Sequence, residues 1–256
     1  MQLVDTHTHL YAEEFDADRD EMLQRAFKNG VTKILLPNID STSLQGMKNL
    51  CARYPDNCYP MMGLHPCSVK DDVETELALV EKELFSNYKY YGVGEMGLDL
   101  YWDKTFYPQQ KTAFIQQTKW SIELNLPLSI HTREATDEAI ELLSMPELKG
   151  ARGVSHCFGG TTQQAEQIIG LGFHLGIGGV LTFKNSNLGE VLAPIDLRHI
   201  VFETDSPYLA PVPYRGKRNE SAYILNIAQK LAELKDISQE EMAAITTANV
   251  TAIFDV

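Results

Sequence analysis

An α/β barrel is what this sequence predicts, and three observations lead to it. The chain has 256 residues, about the length of one barrel domain and enough to bury a core without disulfides. Short apolar segments alternate with helical stretches along its whole length, the pattern of a parallel sheet covered by helices. The unusual polar residues fall at the C-terminal ends of those segments, which converge on one rim when a β/α barrel closes. The first βα turn has no GxGxxG, which counts against an open dinucleotide-binding sheet. The expected architecture is a TIM-type (β/α)8 barrel, with residues 1–256 forming one domain.

The first strand is expected over Leu3 to His7, followed by a helix from about Asp16 to Asn29 that stops at Gly30. The second strand, Val31 to Pro37, carries Ile34, Leu35 and Leu36 in a row, as a strand buried on both faces should. A helix from about Thr42 to Tyr54 leads to the third strand, Cys58 to Leu64, and then to an acidic helix from about Val73 to Phe85. The fourth strand spans Tyr90 to Glu95 and precedes a long helix, about Pro108 to Leu124, in which Trp120 is a packing residue. Pro127 opens the fifth strand, Leu128 to His131, and the next helix runs from about Ala135 to Leu143. The sixth strand is Ala151 to His156, its helix Thr162 to Ile169, and the seventh strand Phe173 to Ile177. The eighth, His199 to Glu203, is followed by helices over about Glu220 to Leu234 and Ser238 to Ala248. The last begins with a capping-box pattern, Ser238-Gln239-Glu240-Glu241.

Composition narrows the setting. Apolar residues make up 44% and charged residues 22% of the chain, ordinary for a soluble globular protein. The net charge of −13 repels nucleic acid on average, so a polyanionic substrate would need a locally basic or metal-bearing site. The four cysteines, Cys51, Cys58, Cys67 and Cys157, form no CxxC pair and read as free thiols of a reducing compartment. No basic leader with an apolar stretch begins the chain, and no run approaches the roughly 18 apolar residues of a membrane span. A cytoplasmic monomer without a membrane partner is expected.

The chemistry gathers at the strand ends. Alternation along an extended backbone sends His7 and His9 to the same side. His65 follows the third strand, Glu95 the fourth, His131 the fifth, His156 the sixth and Asp205 the eighth. Any one of them could be a hydrogen-bonded histidine or a capping acid. Five of the seven histidines on one predicted rim have no structural reason to collect there. His174 and His199, inside or at the start of strands, read as structural. The rim set supplies donors for two divalent ions, which in hydrolytic sites stand about 3.5–4 Å apart. Glu95 can bridge them, one carboxylate oxygen to each.

Six segments carry a resemblance to a known family. They are Asp5-Thr6-His7-Thr8-His9-Leu10, Gly63-Leu64-His65-Pro66, Gly94-Glu95-Met96-Gly97-Leu98-Asp99, His131-Thr132-Arg133-Glu134, His156-Cys157-Phe158 and Glu203-Thr204-Asp205-Ser206-Pro207. In this order they resemble the signature segments of the TatD family, metal-dependent hydrolases of the amidohydrolase-like superfamily. The resemblance implies that His7, His9, Glu95 and Asp205 hold one ion and that Glu95, His131 and His156 hold the other. Glu95 stands where many wider relatives use a carbamylated lysine. Also implied is magnesium-dependent nuclease activity, including removal of nucleotides from DNA 3′ ends, with Asp205 as general base and His65 on the scissile phosphate. Arg133, Lys184, Arg215, Lys217 and Arg218 would form a basic rim, and Tyr101, Trp102, Phe158 and Phe183 could stack bases.

Four imidazoles suit zinc or manganese while the carboxylates suit magnesium, so the two ions stay open among these metals. Hydrolysis of an amide, ester, lactone or aminoacyl-tRNA bond by the same site is the alternative, and metal binding without turnover a further one. Ser221 and Gly159 depart from the family's usual proline and serine, and both positions are expected in substrate loops.

Overall fold

The computed structural model describes every residue from Met1 to Val256. Eight strands alternate with helices: β1 Leu3–Asp5, β2 Val31–Pro37, β3 Cys58–Met61, β4 Val93–Asp99, β5 Leu128–Arg133, β6 Gly153–Ser155, β7 Phe173–Ile177 and β8 Ile200–Phe202. The intervening helices are α1 Arg19–Lys28, α2 Leu44–Arg53, α3 Val73–Leu84, α4 Tyr107–Glu123, α5 Thr136–Leu143, α6 Thr162–Gly170 and α7 Leu188–Leu192. Helices α8 Ile224–Lys235 and α9 Gln239–Phe254 close the chain.

All neighbouring strands are parallel and follow sequence order, β1 to β3 in one ladder and β4 to β8 in another. Backbone hydrogen bonds join the ladders at both seams. Gly94 N–H donates to Met62 O (2.9 Å), and Thr6 N–H donates to Phe202 O (3.0 Å). The result is the expected (β/α)8 barrel.

Alternation along the strands sorts the core into two parts. Ile34 and Leu36 of β2 join a cluster of 54 buried residues between sheet and helices. Leu35, pointing the other way, joins Val4, Met61, Val154 and Val201 with Val250, Ile253 and Phe254 of α9. The C-terminal helix thereby packs against the barrel's interior residues. This explains why α9 runs on to Phe254 rather than stopping near Ala248.

Other boundaries also moved. The first strand ends at Asp5 and the third at Met61, short of the expected His7 and Leu64. β4 lies later than expected, so Glu95 is inside the strand rather than at its end. It continues because Gly97 pairs with His131 and Asp99 with Arg133. Gly97 alone permits that approach: its φ is 154°, and a Cβ there would stand 1.9 Å from His131 O. α7 had no counterpart in the sequence reading, being only five residues long. Ser238 caps α9 through Glu241 N–H, while the full reciprocal capping box belongs to Thr161 and Gln164 at α6. All four cysteines are unpaired. No helix is long and apolar enough to cross a membrane.

Candidate metal centre

The strand ends open into a cleft of about 490 Å³ lined by His9, His65, Glu95, Asp99, Trp102, His131, Arg133, His156, Asp205 and Tyr208, among others. Glu95 is its centre. Oε2 lies 3.1 Å from His7 Nε2 and 3.3 Å from His9 Nε2. Oε1 lies 2.9 Å from His131 Nδ1 and 3.3 Å from both His65 Nε2 and His156 Nε2. Burial opposes ionisation of Glu95, but the charges of His65, His7 and His156 outweigh it and hold the carboxyl well below the usual range. Three groups have their donor atoms within 4.8 Å of one another: His7, His9 and Glu95; His7, His156 and Asp205; His65, Glu95 and His131.

The far nitrogens of these rings are anchored. His7 Nδ1 meets Ser129 Oγ at 2.9 Å, and His9 Nδ1 meets the Tyr11 hydroxyl at 2.9 Å. His156 Nδ1 meets Glu203 Oε1 at 3.1 Å, and His131 Nε2 meets Asp99 Oδ2 at 3.1 Å. Such outer contacts fix ring orientation and tautomer in metal sites. Here they decide two tautomers. The Tyr11 hydroxyl spends its proton on Pro37 O, so it accepts from His9 Nδ1. An ionised Glu203 can only accept, so His156 Nδ1 donates to it. A neutral ring would turn an unprotonated nitrogen toward Glu95 at both His9 and His156. Burial opposes a charge on His156, but the Glu203 and Glu95 carboxylates outweigh it and raise this ring well above the usual imidazole range, so that without a metal it carries a second proton. Lone pairs facing a carboxylate repel unless a cation stands among them or the rings take up protons. His131 lies between two carboxylates with the same requirement. The donor set fits divalent metal.

Asp205 sits in a left-handed turn (φ 54°), a conformation Asp tolerates better than most residues. Its backbone N–H donates to His7 O at 2.9 Å, and its Oδ1 stands 3.8 Å from His9 Nε2. Burial pushes its carboxyl up to about 6. Behind it, buried Asp5 accepts from Thr204 N (2.9 Å), Thr204 Oγ1 (2.6 Å) and Ser221 Oγ (2.6 Å). Burial pushes Asp5 up to about 7. Ser221 is therefore a buried brace under the β8 turn and not part of a substrate loop, which corrects the expectation for that position.

The family model described as TatD related DNase matches residues 4–255. The chain belongs to the TatD family. A relative from Bacillus subtilis (strain 168), named uncharacterized metal-dependent hydrolase YabD, is 38% identical over 253 residues, 98% of either chain. The 3'-5' ssDNA/RNA exonuclease TatD of Escherichia fergusonii is 32% identical over 263 residues, 99% of either chain. In structure, YjjV, a TatD homolog from Escherichia coli K12, superposes with a TM-score of 0.93 at 29% identity, covering 99% of this chain and 98% of that one. This chain is a metal-dependent hydrolase of the family.

The structure of this TatD-family protein gathers all six expected ligand residues around Glu95, with His65 beside them as expected and all but His7 lining the cleft. The basic residues divide. Arg133 lines the cleft, whereas Lys217 and Arg218 line a separate groove with Arg25 and Lys28. Arg218 is paired with Asp18, and Arg215 lies 3.7 Å over the Phe183 ring. Phe158 is buried and offers no face to a base. Sequence reading missed Asp99, Glu203, Tyr11 and Ser129. Asp99 and Glu203 carried the same signal as the ligands, a carboxylate late in a predicted β-segment or just after it. Tyr11 and Ser129 carried none.

Proposed function

We propose that this chain is a phosphodiesterase acting on nucleic acid as a 3′–5′ exonuclease, with a two-ion site around Glu95. The observation that carries the metal site is the convergence of the His7, His9, His131 and His156 ring nitrogens, each within 3.3 Å of an oxygen of the one buried Glu95 carboxylate. The nucleic-acid half rests on the 32% identical relative named as an ssDNA/RNA exonuclease and on Arg133 at the cleft. His7, His9, Glu95 and Asp205 would hold one ion, and Glu95, His131 and His156 the other. Magnesium, manganese or zinc bound there supplies Lewis-acid polarisation of a phosphoryl oxygen and lowers the pKa of water.

The chain's own groups do the rest. Asp205 takes the proton of the attacking water as its oxygen bonds to phosphorus and the bond to the departing sugar oxygen breaks. That sugar oxygen then takes up the proton, returning Asp205 to its carboxylate form. His65, 3.3 Å from Glu95 Oε1, contacts the scissile phosphate, and Arg133 offsets substrate charge at the rim. Elemental analysis after reconstitution with each metal, run with a panel of single-stranded DNA, RNA, simple phosphodiesters, aminoacyl-tRNA and lactones, tests this reading. Up to two ions per chain and turnover of oligonucleotides are expected. Turnover confined to lactones or aminoacyl esters would overturn the phosphodiesterase assignment, and absence of metal near His7, His9 or His131 would overturn the site.

A further inference from the structure

The chain has two tryptophans, and they are placed in opposite ways. Trp120 is 5% exposed in the core, while Trp102 is 68% exposed and lines the same cleft as Glu95 and Asp205. An exposed single apolar side chain is ordinary, but a large indole left in water at the mouth of a reactive cleft is informative. Tyr101, also exposed, stands beside it, and the exposed Tyr208 lines the same cleft. The Arg133 guanidinium lies 3.8 Å over the Tyr101 ring and 5.1 Å from the Trp102 ring. Tyr101 meets Trp102 edge-on, with centroids 4.9 Å apart at 86°. Arg133 thus covers the tyrosine, and the indole keeps its surface for something else.

That indole is held in place. Asp99 Oδ1 accepts from both Tyr101 N–H and Trp102 N–H, each at 3.0 Å. The other oxygen of the same carboxylate contacts His131 Nε2 at 3.1 Å. Lys70 pairs with Asp103 in the same loop at 3.6 Å. One buried carboxylate therefore sets both a ring of the metal cluster and the backbone under Trp102.

We propose that Trp102, braced by Tyr101 and Arg133 and positioned by Asp99, is a stacking platform for one nucleobase of a single-stranded substrate whose phosphodiester lies at the Glu95 cluster. This rests on the nucleic-acid reading above and deepens it. An unpaired base offers a free π-face to the indole whatever its identity, whereas duplex bases are already stacked on each other. Arg133 meets the flanking phosphate and its cation–π contact at once.

The test uses metal-loaded Asp205→Asn protein, in which binding is separated from turnover. Its fluorescence is followed against a single-stranded thymidine oligonucleotide, an abasic oligonucleotide of equal length and a duplex. The thymidine strand should quench the exposed indole, and Trp102→Phe in the same background should abolish the quench while binding a labelled strand more tightly than Trp102→Ala does, because phenylalanine keeps a π-face. Trp102→Ala should weaken binding about 5- to 150-fold, the range for loss of one stacked base. The abasic strand should bind the parent protein less tightly by a similar factor. Equal affinity for thymidine and abasic strands, or for parent and Trp102→Ala, would overturn the platform while leaving the nuclease reading intact if wild type still cleaves oligonucleotides. No binding and no cleavage of any strand would overturn both.

Discussion

Asp205→Asn separates proton transfer from metal holding. Asparagine keeps the size and one oxygen able to face a metal, but it cannot take a proton from water. The backbone contacts of this turn, Asp205 N–H to His7 O and Tyr208 N–H to Asp205 O, are main-chain bonds and survive the change. General-base assistance contributes about 10²–10⁴-fold, so kcat should fall at least a hundredfold, about 2.7 kcal/mol of barrier. Stability should move the other way in metal-free protein. Burial raises this carboxyl from 3.8 to about 6, so its ionised form opposes folding by on the order of 3 kcal/mol at pH 7, and asparagine relieves that opposition. The assay is kcat against metal concentration for Asp205→Asn and His156→Asn, with thermal melts of both in chelator. His156→Asn removes a ligand and should recover partly at high metal, whereas Asp205→Asn should stay impaired at every concentration. If added metal returns Asp205→Asn to near wild-type turnover, Asp205 is a ligand only and the base lies elsewhere.

Glu203→Gln removes the charge that holds His156 Nδ1 and should weaken metal binding about 10- to 100-fold by calorimetric titration; unchanged affinity would show that Glu203 does not tune the centre. Gly97→Ala forces a Cβ to within 1.9 Å of His131 O, at a φ other residues rarely adopt, and should cost more than about 1–3 kcal/mol in denaturant melts and loosen His131. Arg133→Gln should raise KM for an oligonucleotide and flatten its salt dependence, while Lys217→Gln, in its separate groove, should change neither; equal effects would mean that a strand follows both surfaces. Asp18 is held at about 2, chiefly by Arg218 and then Arg25. Its folded-state pKa is depressed, so its stabilisation is present above pH 3.8 and is lost as pH falls toward 2. The pair is partly solvated, so Asp18→Asn should cost only about 0.2–1 kcal/mol at pH 7, with the difference from wild type closing in melts near pH 2.

What the sequence determined by itself is whatever local pattern encodes. Strand and helix alternation follows from apolar periodicity within a few residues, and the consecutive Ile34, Leu35 and Leu36 announced a strand buried on both faces. His7, His9, His65, His131, His156 and Asp205 were legible because each is a reactive residue just after an apolar run, and barrel closure sends all such positions to one rim. Tertiary structure alone decided the partners. Glu95 meets His7 across 88 residues, and Thr204 meets Asp5 across 199, and no local pattern states which distant groups will face one another. The same holds for Ser221, which became a buried brace because the β8 turn folds over Asp5, and for Lys217, which closure turned into another groove. Asp99 shows the division most sharply. Its place late in β4 is local, but its hold on both His131 and the Trp102 loop exists only once β4 continues past Glu95, which depends on a glycine lying against a neighbouring strand.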